Sequence, residues 1–222
     1  MNEGAVGKGD FEYKGKTIVG FADDPFKNFT ERGDQDFLID SMSAKPGPAF
    51  KDFREAINNG SIFAIITARG HNPSTIKKAI YNYIVSDFNG IDKTQLLKNL
   101  RKYRDFVGEE DISDSELIKS YLKLNKYHPV SYNDEASAKN PEHGKLMALD
   151  EFLNYVREMS AILHKKAYLK KEMGKEFIPG KVSIGFSDDD VKNVEAVKKH
   201  LENKPNKNIS TYLTSTGSKK KV

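Results

Sequence analysis

The sequence predicts an α/β protein, a doubly wound, mainly parallel sheet with a helical insertion. Three observations carry that reading. Short apolar runs at 17–22, 61–67, 182–187 and 209–213 alternate with segments of helical period. A strand–loop–helix unit occurs at SIFAIITARGHNPS and again at VSIGFSDDDV. Polar residues able to do chemistry gather where those runs end, and open α/β sheets bind ligands outside the carboxyl ends of their strands.

Composition sets the limits. The chain has 222 residues, 37% hydrophobic and 31% charged, enough for one α/β core with an insertion under a very wet surface. It has no cysteine, which excludes a disulfide scaffold and cysteine-ligated zinc. No apolar run is long enough to span a bilayer. The opening MNEGAVGKGD lacks the apolar stretch of a secretory signal, so a cytoplasmic protein, or one assembled in a cytoplasm, is expected. The 36 basic residues nearly cancel the 32 acidic ones, for a net charge of +4, and no basic face stands out. Nucleic acid is therefore not expected as a partner, nor is a membrane.

Residues 1–15 read as a Gly-rich N-terminal arm, and 16–88 with 127–215 as the α/β core. The run TIVGFA at 17–22 reads as a strand that Pro25 stops. Residues 27–45 look like a loop, broken off by Lys45-Pro-Gly-Pro48. Phe50, Phe53, Ala56 and Ile57 then recur at helical spacing, and Asn58-Asn59-Gly60 is a stop. Ser61–Thr67, apolar almost throughout, predicts a central parallel strand. Ser74 is the candidate cap of a helix carrying Ile76, Ile80, Tyr83 and Ile84.

Residues 89–126 hold two helical patterns and read as the insertion, the second opened by Ser113 or Asp114 with Glu116 behind. Tyr127–Tyr132 predicts a strand that Pro129 pushes to an edge. A long helix is expected from about Gly144, with Leu146, Leu149, Phe152, Leu153 and Val156 on one face and an extension as far as Met173. Its lysine pairs at 165–166 and 170–171 read as a solvated face. Residues 216–222 form a basic tail.

The stretch Val182–Val197 is the most informative. A buried strand empties into Asp188, Asp189 and Asp190 and then turns into a helix with Val191, Val194 and Val197 three apart. One aspartate would cap the helix. Three neighbouring carboxylates repel one another unless a cation neutralises them, and Mg²⁺ takes carboxylates together with phosphate oxygens. Asp23 and Asp24, Thr67, and Asp188 with Asp189 end their strands, and Lys145 opens the long helix. Together such groups would suit a phosphate: metal and ammonium neutralise charge while a hydroxyl donates a hydrogen bond. Each also has a plain structural role available, as strand residue, surface lysine or loop decoration.

The order of these segments resembles the haloacid dehalogenase-like superfamily, which is mostly Mg²⁺-dependent phosphohydrolases on a Rossmann-like core. SIFAIITARGH is similar to the family's second motif, GKLMALDEFL to the third and IGFSDDDVKNVEA to the fourth. The resemblance covers residues 16–215. It implies phosphate binding by Thr67, Ala68, Arg69 and Lys145, and Mg²⁺ ligation by Asp23, Asp188 and Asp189, with Asp23 and Asp24 as the catalytic carboxylates. In style the segments are similar to those of phage-encoded members, which would make a virion location or an assembly role the alternative to a cytoplasmic one.

The first motif departs from the pattern. The family places a nucleophilic aspartate two residues before an acid/base aspartate. Aligned to keep the acidic pair, VGFADDPF puts Phe21 at the nucleophile position and Asp23 at the acid/base. Aligned to make Asp23 the nucleophile, it puts Pro25 at the acid/base. Phenylalanine cannot form an aspartyl-phosphate, and proline cannot protonate a leaving group. The first register is preferred because it keeps the acidic pair and the strand length. The expectation is a degenerate site in a structural, assembly or phosphate- and cation-binding module, with phosphate-containing small molecules and assembly proteins as the partner classes. The alternative is an active Mg²⁺-dependent phosphohydrolase using Asp23.

Overall fold

Phe11–Tyr13 (β1) and Lys16–Ile18 (β2) pair antiparallel, with Tyr13 opposite Lys16. Residues 16–18 were expected to lead into a parallel ladder, and Phe11–Tyr13 fall in the stretch read as an arm. The computed structural model describes residues 11–13, 16–18, 47–86, 90–132, 134–172, 182–202, 208–214 and 218–222. The first-motif positions Phe21, Asp23, Asp24 and Pro25 lie outside these.

Phe50–Asn58 (α1) buries Ile57 and ends where Gly60 takes a left-handed φ of +67°, as the Asn-Asn-Gly stop predicts. Ala64–Thr67 (β3) runs parallel to Lys126–Pro129 (β4), Ala64 opposite Lys126 and Thr67 opposite Pro129. β3 starts three residues later than its apolar run. A side chain takes over there: the Phe63 amide donates to Asn125 Oδ1 at 2.8 Å. Pro129, with no N–H, closes β4, and the Val130 amide makes the last bond, to the Thr67 carbonyl at 2.8 Å.

Pro73–Val85 (α2) is capped by Asn72, whose Oδ1 accepts from the Ser74 amide at 2.8 Å. Ser74 is therefore inside the helix; Pro73 fits its first position, where no N–H is needed. Lys93–Val107 (α3) and Asp114–Leu124 (α4) fill the segment read as an insertion. Ser113 and Glu116 form the capping box. Glu135–Lys139 (α5) leads into Pro141–Glu172 (α6), which has 32 residues. The start lies three residues before the expected Gly144. Asn140 accepts from the His143 amide and Pro141 occupies the first turn.

Ile184–Asp188 (β5), Val191–Glu202 (α7) and Ile209–Leu213 (β6) complete a strand–helix–strand unit, with β5 and β6 parallel. Lys220–Lys221 (β7), within the basic tail, pairs antiparallel with β6. The chain's last residue is tied as well: the Val222 amide donates to the Thr211 carbonyl, and Thr211 Oγ1 donates to the Val222 carbonyl.

Two cores form, and β3 stands between them. Ile57, Phe63, Ile84, Leu96, Leu100 and the buried face of α4 make the first, with Ile65 packed against it. Leu149, Leu153, Phe186, Val194 and Val197 make the second, with Ile66 packed against that one. Successive strand residues point to opposite faces, so adjacent isoleucines serve both cores. The helices of 93–124 thus share a core with α1 and α2.

Contacts along α6 give the direction of both parallel pairs. Lys145, near its start, meets Asp188 at the end of β5, and Arg157 and His164 share a cavity with Ile184 at its beginning. On the other side a Cβ on Gly144 would lie 3.0 Å from that of Val130, just past β4. Glu151 is 3.9 Å from His128, and the Tyr155 ring takes the Lys126 ammonium at 4.1 Å. Both pairs therefore run antiparallel to α6 and parallel to each other in sense. The architecture is mixed α/β with small, mainly parallel pairings; the described strands form separate ladders, β1–β2, β3–β4 and β5–β6–β7.

Candidate functional site

The shared direction brings the carboxyl ends of β3, β4, β5 and β6 to the N-terminal end of α6, where Lys145 sits. Four amides at a helix start lack helical partners, and the helix dipole is positive there, so this end of the molecule favours negative charge. Thr67 ends β3 and Asp188 ends β5, as expected from the apolar runs.

Asp188 and Lys145 meet directly. Lys145 Nζ donates to Asp188 Oδ2 at 2.8 Å, and the two side chains are only 12% and 9% exposed. The other oxygen, Oδ1, accepts from the Asp190 amide at 2.9 Å and from Asn193 Nδ2 at 3.1 Å. Asp188 is thus a carboxylate held by an ammonium, an amide and a side-chain amide, charge-assisted bonds of the stronger kind. Asp190 takes the plain role of helix cap: its Oδ1 accepts from the Lys192 amide at 2.9 Å. Asp189, between them, is half-buried. Of the three aspartates, one caps the helix and one pairs with lysine.

Thr67 Oγ1 accepts from the Arg69 amide at 3.3 Å, bracing the turn through Ala68 that follows β3. Ala68 and Arg69 are half-buried beside it. The next residues are locked to β4's exit, because Asn72 Nδ2 donates to Tyr132 Oη at 2.9 Å. His71 is fully buried in this loop.

Two residues beyond the sequence candidates belong to this end. Asn193 is 7% exposed and positions Asp188; its place three residues into the helix after Asp190 was the available signal. Ser131 is 1% exposed, two residues past Pro129, and its hydroxyl has no hydrogen-bond partner among the described residues. A buried hydroxyl of that kind is satisfied by water or a ligand. Nothing in YHPVSY marked Ser131, because burial at the close approach of Gly144 to Val130 is tertiary.

On β4, His128 faces α6. Burial holds its imidazole below the ordinary value of 6.5, with Glu151 opposing and Lys126 reinforcing that shift.

Among the described residues no group of three or more His, Asp or Glu could hold a metal ion. Asp188 and Asp189 are the two carboxylates at the end of β5, and Asp188 already carries Lys145. No helix among the described residues is long and apolar enough to cross a membrane. No family model, curated protein or solved structure matches this chain.

Proposed function

We propose that this chain is a haloacid dehalogenase-like protein whose β3–β4 and β5–β6 pairs belong to one doubly wound sheet, and whose phosphotransfer site is degenerate. It works as a structural, assembly or phosphate- and cation-binding module, virion-associated if phage-encoded. The observation that supports it most is the Lys145–Asp188 pair, part-buried at the carboxyl end of β5 and near the start of α6. An ammonium fixed there, with the helix dipole and the turn of Thr67 at the same end, suits a phosphate group. Phe21 at the nucleophile position leaves no group to attack phosphorus. Binding a phosphate equally in ground and transition state does not accelerate its transfer.

The acidic pair Asp188–Asp189 favours a second reading, an active Mg²⁺-dependent phosphohydrolase with Asp23 as nucleophile. One assay separates the two. Aryl phosphate turnover with Mg²⁺ is measured for the parent, Asp23→Asn and Phe21→Asp. The proposal expects an inactive parent and activity gained with Phe21→Asp; robust parent activity abolished by Asp23→Asn establishes the second reading. Calorimetry adds the cation: millimolar Mg²⁺ binding lost in Asp188→Asn supports a retained site, and no binding in either protein removes it.

A further inference from the structure

A cavity of about 380 Å³ opens at the other end of the strands, far from Lys145. Arg157 is twelve residues beyond Lys145 on α6, about 18 Å along the axis. One wall is a single face of that helix: Arg157, Ser160, Ala161 and His164 follow at intervals of three and four residues. The opposite wall is aliphatic, from Val182, Ile184 and Ile209, with Asn208 at the edge. Among the described residues no acidic side chain lines it.

That distribution is the anatomy of a site for a small amphiphile. Ligand cavities are mostly apolar with a few convergent polar groups, and a volume of this order suits a small molecule. The Arg157 guanidinium gives an N–H from Nη1 to Asn154 Oδ1 at 3.2 Å, and its fixed positive charge attracts a carboxylate, sulfonate or phosphate. The Ser160 hydroxyl and the His164 ring lie on the same face and add donors. The aliphatic wall has no use for a bare inorganic ion but covers a hydrocarbon or an aromatic ring.

We propose that this cavity binds a small organic anion with an apolar body, its acid group on Arg157 and His164 and its body against Val182, Ile184 and Ile209. The site is independent of the phosphate end and of the reading given to it.

The probe is 8-anilinonaphthalene-1-sulfonate, an aromatic sulfonate whose fluorescence rises in apolar surroundings; the chain has no tryptophan to interfere. Saturable binding at one equivalent is expected, with sodium octanoate competing. Arg157→Gln should weaken it about tenfold, by loss of a charge-assisted pair. Ala161→Phe fills the cavity from an exposed helix position and should abolish it. Lys165→Gln removes the same charge from a residue outside the lining and should leave affinity within about twofold. Circular dichroism melts establish that each variant is folded, and either cavity variant alone decides. Absence of saturable binding overturns the proposal. So do full affinity in Ala161→Phe and equal weakening by Arg157→Gln and Lys165→Gln.

Discussion

Lys145 and Asp188 are each ordinary surface residue types, and neither would be buried alone. Together they are tolerated with most of their side chains out of water, because each neutralises the other and Asn193 and an amide satisfy the remaining oxygen. Lys145→Ala leaves a part-buried carboxylate without its cation, and we expect a loss of about 3 kcal/mol in urea unfolding. Combining it with Asp188→Asn should cost clearly less than the two single changes added. Strict additivity would mean the pair is not coupled. His128 gives a pH test. Its imidazole is held below 6.5 in the folded chain, so between that value and the folded one the unfolded state binds more protons. Stability is full above about pH 6.5 and falls as pH drops towards the folded value. His128→Gln should flatten that slope in melts between pH 7.5 and 5.5, and an unchanged slope would assign it to other groups.

Among the elements, α6 organises the molecule. Lys145 stands near its start, Leu149 and Leu153 join one core, and the turns from Arg157 to His164 line the cavity. His200 of α7 bonds Asp150 at 2.9 Å and keeps the two helices in register. Its start is seated by a glycine. A Cβ on Gly144 would stand 2.9 Å from Ser137 Cβ, closer than real contacts allow, and a tight 3.0 Å from Val130 Cβ. Intrinsic propensity alone says that Gly144→Ala stabilises a helix by about 1 kcal/mol. We expect the reverse, a destabilisation of about 1–3 kcal/mol, because overpacking outweighs propensity. Part of it should return in Gly144→Ala with Ser137→Gly. A more stable Gly144→Ala protein, read from its urea midpoint, would show that the approach of α6 to β4 is looser.

At the scale of the whole molecule, β3 joins what would otherwise be two small bodies. Ile65 faces the core of α1 to α4, and Ile66 faces the core of α6, α7 and the β5–β6 ladder. Neither core is large enough to be comfortably stable by itself. Ile65→Ala and Ile66→Ala should each cost about 2 kcal/mol. Both should shift one common transition, seen alike by circular dichroism and tyrosine fluorescence. Two separated transitions, each moved by one variant only, would show that the cores unfold independently. The C-terminal strand adds a further tie: Lys219, beside β7, pairs with Asp52 of α1 and lies 3.7 Å over the Tyr212 ring.

The sequence by itself determined that this is an α/β chain, and where most elements lie. Apolar runs placed the cores of β3, β5 and β6, and Ser113 with Glu116 marked the start of α4. The acidic stretch placed Asp188 and Asp189 at the end of a strand, because hydrophobic period and capping are local properties of the chain. Helix starts slipped by two or three residues at Asn72 and Asn140, where an asparagine–proline pair outranks a later serine or glycine. Only the tertiary structure decided which polar groups meet. Lys145 and Asp188 are 43 positions apart, and no spacing rule pairs them. The burial of Ser131, the return of the basic tail as β7 and the cavity under Arg157 belong to the same class. Each depends on elements distant in sequence being packed side by side, and packing is long-range while propensity is not.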